Sequence, residues 1–180
     1  MKTWIVLFRG INVGGSNALP MKKLVTLLEQ AGCRDVKTYI QSGNVVLRSP
    51  LADAGRLAKR IRAAVAAGGG FEPQVVMVDQ RRLDRAVAAN PFAEASANPQ
   101  FVHLFFLAER PKKPDLESLN RVKKASESFA LKGDVLYLHT PDGFGKSKLA
   151  ARIERDLGVA ATARNCRTVS ALVEMANSFR

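Results

Sequence analysis

Two stretches of this chain are apolar on both faces of a strand, and nothing else in the sequence constrains the fold as much. In residues 3–9 the alternating sets Trp4/Val6/Phe8 and Ile5/Leu7 are both hydrophobic. Residues 101–108 repeat the pattern with Phe101/Phe105/Leu107 and Val102/Leu104/Phe106. Successive strand side chains point to opposite faces, so each stretch predicts a central strand whose sheet is covered on both faces. Helices cover one face, and the other half of the chain, or a partner chain, is the simplest cover for the second. With 180 residues and 47% hydrophobic composition the chain can build such cores without staples.

Around the first of these strands the elements fall in a fixed order. A glycine-rich loop, residues 10–17, leads to a helix opening near Pro20, with Leu24, Leu27, Leu28 and Ala31 on one stripe and Gly32 as its stop. Residues 36–41 and 44–48 read as a hairpin around Gln41, Ser42, Gly43 and Asn44, because Gly43 and Asn44 tolerate positive φ and Ser42 can bond its own backbone. Ser49 and Pro50 look like the start of a second helix burying Leu57, Ile61, Ala64 and Val65, and residues 74–78 form the next strand. The order strand, helix, strand, strand, helix, strand is that of a ferredoxin-like half.

Residues 79–89 read as a connecting helix and residues 90–100 as a linker. Strands at 101–108, 129–131, 135–139 and 160–163 then alternate with helices near 114–124, with Leu116, Leu119 and Val122 inward, and from Ser147 onward. Asn165 caps a last helix carrying Val169, Leu172, Val173 and Ala176. The expected fold is α+β, with two ferredoxin-like (βαββαβ) halves at 1–89 and 101–180 and an extra helix at the end of the second.

The formal charge of +12 is uneven, at +5 over residues 1–48, +1 over 49–109 and +6 over 110–180. That balance raises the expectation of an anionic partner, nucleic acid included, although a solvated arginine-rich surface would look the same. No apolar run approaches the roughly 20 residues that cross a bilayer, and the opening apolar run is too short for a signal peptide, so a cytoplasmic protein without a membrane partner is expected. Cys33 and Cys166 stand far apart with no second cysteine or histidine near either, which leaves no zinc, redox or other metal-ligand spacing.

Three stretches carry a resemblance. Residues 8–15 (FRGINVGG), 39–46 (YIQSGNVV), and 140–149 (TPDGFGKSKL) followed by 161–165 (ATARN) resemble the bacterial domain of unknown function 1697 family, over most of the chain. The resemblance implies an α+β fold of related halves and carries no established activity or cofactor. The family usually has a tryptophan after Ala-Arg-Asn, where this chain has Cys166.

In a ferredoxin-like half the loop after strand one and the hairpin tip emerge at one end. Arg9, Gly10, Asn12, Gly14 and Gly15 are therefore expected to meet Gln41, Ser42, Gly43 and Asn44. Glycine N–H groups, neutral amides and the Arg9 charge would there suit a phosphate-bearing or other anionic ligand at the N-terminus of the following helix. The alternative is that these residues bond one another and merely hold the loop to the hairpin.

Lys146, Ser147 and Lys148, with Arg164, make a possible second anion site. A G-x-x-x-x-G-K-[ST] phosphate loop is excluded because position 140 is Thr140. His103, between Phe101 and Phe105, reads as a packed, hydrogen-bonded core histidine, and His139 as exposed at a loop mouth. No nucleophile–base or paired-carboxylate spacing assembles. Base stacking on an open sheet is excluded, since residues 44–48 hold no aromatic side chain and the first strand is buried twice. The alternatives left for function are an enzyme acting on a small phosphorylated metabolite, an interaction module whose motifs are structural, and nucleic-acid binding by surface charge.

Overall fold

The computed structural model describes residues 1–179. Its first sheet contains β1 (Lys2–Arg9), β2 (Arg34–Tyr39), β3 (Asn44–Ser49) and β4 (Gln74–Asp79), in the spatial order β2-β3-β1-β4 with every neighbouring pair antiparallel. Helices α1 (Met21–Gln30) and α2 (Ala54–Gly69) make the two crossovers. After α3 (Gln80–Ala88) the scheme recurs with β5 (Val102–Leu107), α4 (Leu116–Val122), β6 (Ser128–Lys132), β7 (Val135–His139), α5 (Lys148–Leu157) and β8 (Ala161–Asn165), in the order β6-β7-β5-β8. Helix α6 (Cys166–Asn177) follows. Both sheets have the ferredoxin-like strand order, as the element order predicts.

Each doubly apolar strand lies in the interior of its sheet. On one face of the first sheet Trp4, Val6, Phe8, Val45 and Leu47 pack with Leu24 and Leu28 of α1 and Leu57, Ile61 and Val65 of α2. On the other face Ile5, Leu7, Val46 and Val78 are fully buried as well. In the second sheet Phe105, Leu107, Leu136 and Leu138 pack with Leu119 of α4 and Leu149, Ile153 and Leu157 of α5. Val102, Leu104, Phe106 and Tyr137 are buried on the reverse, where the Tyr137 hydroxyl donates to the Ala86 carbonyl of α3 at 2.7 Å. Burial of each such side chain stabilises by about 1.5–3 kcal/mol, so both faces of each sheet count toward folding.

The chain forms two compact units, Met1–Asp84 with the segment from Ser170, and Arg85–Val169. Relative to a boundary at 90–100, the cut lies inside α3, and the chain from Ser170 groups with the first unit. There Gln80 donates to Asn177 at 2.8 Å and the Lys37 ammonium donates to Ser178 at 2.9 Å.

Local chemistry departs from the sequence expectation in three places. Helix α2 is capped by Asp53, which accepts from the Arg56 N–H at 2.6 Å, while Ser49 instead accepts from the Leu51 N–H to close a turn before it. Leu116, expected inward, is 36% exposed because α4 has only seven residues and Asp115 caps it one position earlier. Strand β8 runs to Asn165, two residues beyond expectation, with Asn165 still accepting from the Thr168 N–H to start α6.

Gly43 marks where the β2–β3 hairpin tip meets β1. Its φ is +73°, and a Cβ there would sit 2.6 Å from the Cβ of Phe8. Gly43→Ala should therefore lose about 3 kcal/mol in urea unfolding, from left-handed strain plus overpacking.

Candidate functional site

The loop after β1 is itself a miniature hairpin. Gly14 and Gly15 have φ of +60° and +76°, the two positive values of a type I′ turn, and the Ser16 N–H donates to the Val13 carbonyl at 3.2 Å. One step outward, the Asn12 N–H donates to the Asn17 carbonyl at 3.2 Å, and the Asn17 side chain returns to the Gly10 carbonyl at 3.0 Å. Asn12 and Asn17 are left-handed too, which asparagine tolerates.

The Asn12 carboxamide joins this loop to the hairpin tip. Its Oδ1 accepts from the Leu19 N–H at 2.7 Å, and its Nδ2 donates to the Leu19 and Gln41 carbonyls, both at 2.9 Å. Two turns 29 residues apart in sequence are thus neighbours. Asn44 is fully buried and donates to the Tyr39 carbonyl and the Ser42 hydroxyl, and the Gly43 carbonyl accepts from the Phe8 N–H at 2.9 Å. Arg9 reaches across to Gln74 at 3.4 Å. Asn12, Gly43 and Asn44 therefore hold the loop and tip together. Asn12→Ala removes three hydrogen bonds and should cost about 2–3 kcal/mol, read as a lower urea midpoint and faster exchange of the Leu19 amide.

Outward from this frame face Gly14, Gly15, the Gln41 side chain and the expected helix N-terminus, to which the structure adds two lysines. Helix α1 starts after Pro20 with no side-chain cap and no carboxylate in its first turn, where Lys22 and Lys23 stand exposed. Among the described residues the backbone N–H groups of Met21, Lys22 and Lys23 have no acceptor, the first helical bond being Leu24 to Pro20 at 3.0 Å. The signal was present in the run Pro-Met-Lys-Lys, which places two cations at the positive end of a helix dipole. Val13 and Ile40, at 62% and 54% exposure, are apolar side chains of the same two turns, and Ile40 holds φ +50°.

The second set of candidates is not brought together. Ser147 is buried and caps α5 by accepting from the Ala150 N–H at 3.0 Å, with Lys146 and Lys148 exposed beside it. Arg164 pairs in register with Leu104, and its neighbour Ala163 with Phe105. Since α5 packs on the Phe105 face, Arg164 lies on the reverse of the sheet. It donates there to Thr162 and to the Ala163 carbonyl at 2.7 and 2.8 Å, and burial pushes its pKa down to about 10.

His103 is packed as expected, stacked on Phe144 with ring centroids 4.0 Å apart, but the expected hydrogen bond is missing at Nδ1, which is buried without a partner among the described residues. Burial lowers its pKa from 6.5 to about 4. The unfolded chain therefore takes up a proton near pH 6.5 that the folded chain refuses until pH 4, so this group's contribution to stability falls as the pH falls through that window. The loss is about 3 kcal/mol at 1.36 kcal/mol per unit. In His103→Gln the difference in unfolding free energy between pH 7 and pH 4 should shrink by about that amount. His139 is half-buried against Phe92, with ring centroids 6.0 Å apart. Among the described residues no group of three or more His, Cys, Asp and Glu side chains could hold a metal ion, and no helix is long and apolar enough to cross a membrane.

Residues 1–137 match the family described as "Protein of unknown function (DUF1697)", and the chain belongs to that family. Its fold is similar to the solved structure of the conserved bacterial protein SP0830 from Streptococcus pneumoniae. The TM-score is 0.73 at 20% identity, over 97% of this chain and 98% of that one. No curated protein matches the chain.

Proposed function

We propose that this DUF1697 member binds a phosphate-bearing or other small anionic ligand at the end of its first unit, where the Gly14–Gly15 turn, the Gln41 side chain and the start of α1 lie. The observation that carries the reading is the uncapped start of α1, with Lys22 and Lys23 in its first turn and no carboxylate there. Cations at a helix N-terminus oppose the dipole by about 0.3–1 kcal/mol each, and an anion seated on the free N–H groups would reverse that. Arg9 adds charge, and Asn12, Ser42, Gly43 and Asn44 keep the surrounding turns in place.

Segments 9–23 and 39–44 contain no histidine, cysteine or carboxylate, which favours binding over acid–base catalysis at this end. Cys33 and Cys166 as free thiols fit a cytoplasmic setting. A second reading rests on exposed Val13 and Ile40, which suit a protein partner if the turns serve docking instead.

Amide NMR titration separates the two. Inorganic phosphate, and then nucleoside monophosphates, should shift the amides of Gly14, Gly15, Lys22 and Lys23 saturably. Lys22→Gln with Lys23→Gln should weaken binding at least tenfold without lowering the melting temperature. No shift, or equal shifts at all exposed amides, would remove the anion site and leave the docking reading.

A further inference from the structure

Helix α2 carries Arg56, Lys59, Arg60 and Arg62 along its 16 residues and not one carboxylate. In the second unit, helices α4 and α5 set carboxylates beside their arginines. Arg121 of α4 meets Glu117 at 3.0 Å, and Arg152 and Arg155 of α5 meet Asp156 at 3.2 and 2.9 Å. Among the described residues only Arg62 of α2 approaches a carboxylate, Glu72, at 4.0 Å, and Asp53 turns its oxygen to the helix backbone. Arg56, Lys59 and Arg60 are exposed and have no carboxylate partner among the described residues. Arg56 and Arg60 are four residues apart, and Arg56/Lys59 and Lys59/Arg62 three, so the helix keeps three like-charged neighbour pairs, each unfavourable by about 0.2–0.5 kcal/mol.

We propose that this face of α2 docks the sugar–phosphate backbone of a nucleic acid, without reading base sequence. Phosphates along one strand would relieve the repulsion that the helix otherwise retains, and release of condensed counterions supplies the affinity. Arg60 borders an open groove of about 620 Å³ between α1 and α2, lined also by Leu27, Gln30, Ala64 and Gly68. A Cβ on Gly68 would lie 2.2 Å from the end of Leu27, so the glycine lets the two helices close beneath the basic row.

A membrane surface fits less well. Beyond the charges the outward positions of α2 are Gly55, Ala63 and Ala67, and a helix that lies in a bilayer interface presents large apolar or aromatic side chains there. An acidic protein partner would likewise find no aromatic anchor on this face. The inference is independent of the proposed ligand site, since it uses none of its residues.

Fluorescence anisotropy of a labelled DNA duplex, across a salt series, tests it with the full chain. Neutralising three phosphate contacts in Arg56→Gln/Lys59→Gln/Arg60→Gln should flatten the slope of log K against log salt by about 3 and weaken binding at low salt at least thirtyfold, equally for unrelated duplexes. The melting temperature should hold or rise. Arg110→Gln/Lys112→Gln/Lys113→Gln, on exposed positions of the second unit with the same change in net charge, is the control and should leave the slope unchanged. Equal losses in the two triple variants would reduce the effect to overall charge and overturn the proposal. So would wild-type protein that ignores DNA, whether or not it sediments with phosphatidylserine vesicles.

Discussion

The pairing of β1 with β3, buried from above and below, sets the place of everything else in the first unit. A strand with no polar face can stand only inside a sheet, and its register then decides what lies beyond its ends. Leu7 opposite Asn44 brings the end of β1 beside the start of β3, so the loop leaving one and the tip entering the other have nowhere to go but together. Their proximity follows from hydrophobic patterning many residues away. Asn12 and the Phe8–Gly43 bond then lock it.

That origin sorts the motif residues by role. Side chains that looked like ligand donors, Asn12 and Asn44 above all, are occupied with backbone carbonyls and make the geometry. What remains outward is mostly backbone, namely the glycine turn and the first turn of α1. Backbone donors held by a buried frame are well suited to an anion, because they need no reorganisation to receive it and carry no charge to desolvate.

The strand order of both halves was legible because period-two and period-3.6 patterns record burial, and burial dominates folding. The finer errors come from competition between neighbouring residues of similar chemistry. Ser49 and Asp53 both stand ready to cap α2, and the choice depends on a turn closed by the Leu51 N–H that the sequence does not display. Arg164 falls outside a strand ending at residue 163, whereas as a residue of β8 it alternates to the face away from Lys146. Burial of His103 was readable from its apolar neighbours, whereas the orphaned Nδ1 depends on where Phe144 lies, a tertiary accident. The helix after the glycine loop was readable as an anion-facing N-terminus, whereas the role of Lys22 and Lys23 depends on the helix starting at Met21 without a side-chain cap.

Ile40 carries a cost of its own. A β-branched side chain in the left-handed region gives up roughly 1–2 kcal/mol that glycine or asparagine would recover, and here it does so with its bulk turned to water. The frame of the first unit is strong enough to hold that discomfort permanently at its rim, as a drawn bow holds its bend. Anything that grips Ile40 from outside finds a shape already set and pays no ordering entropy for it.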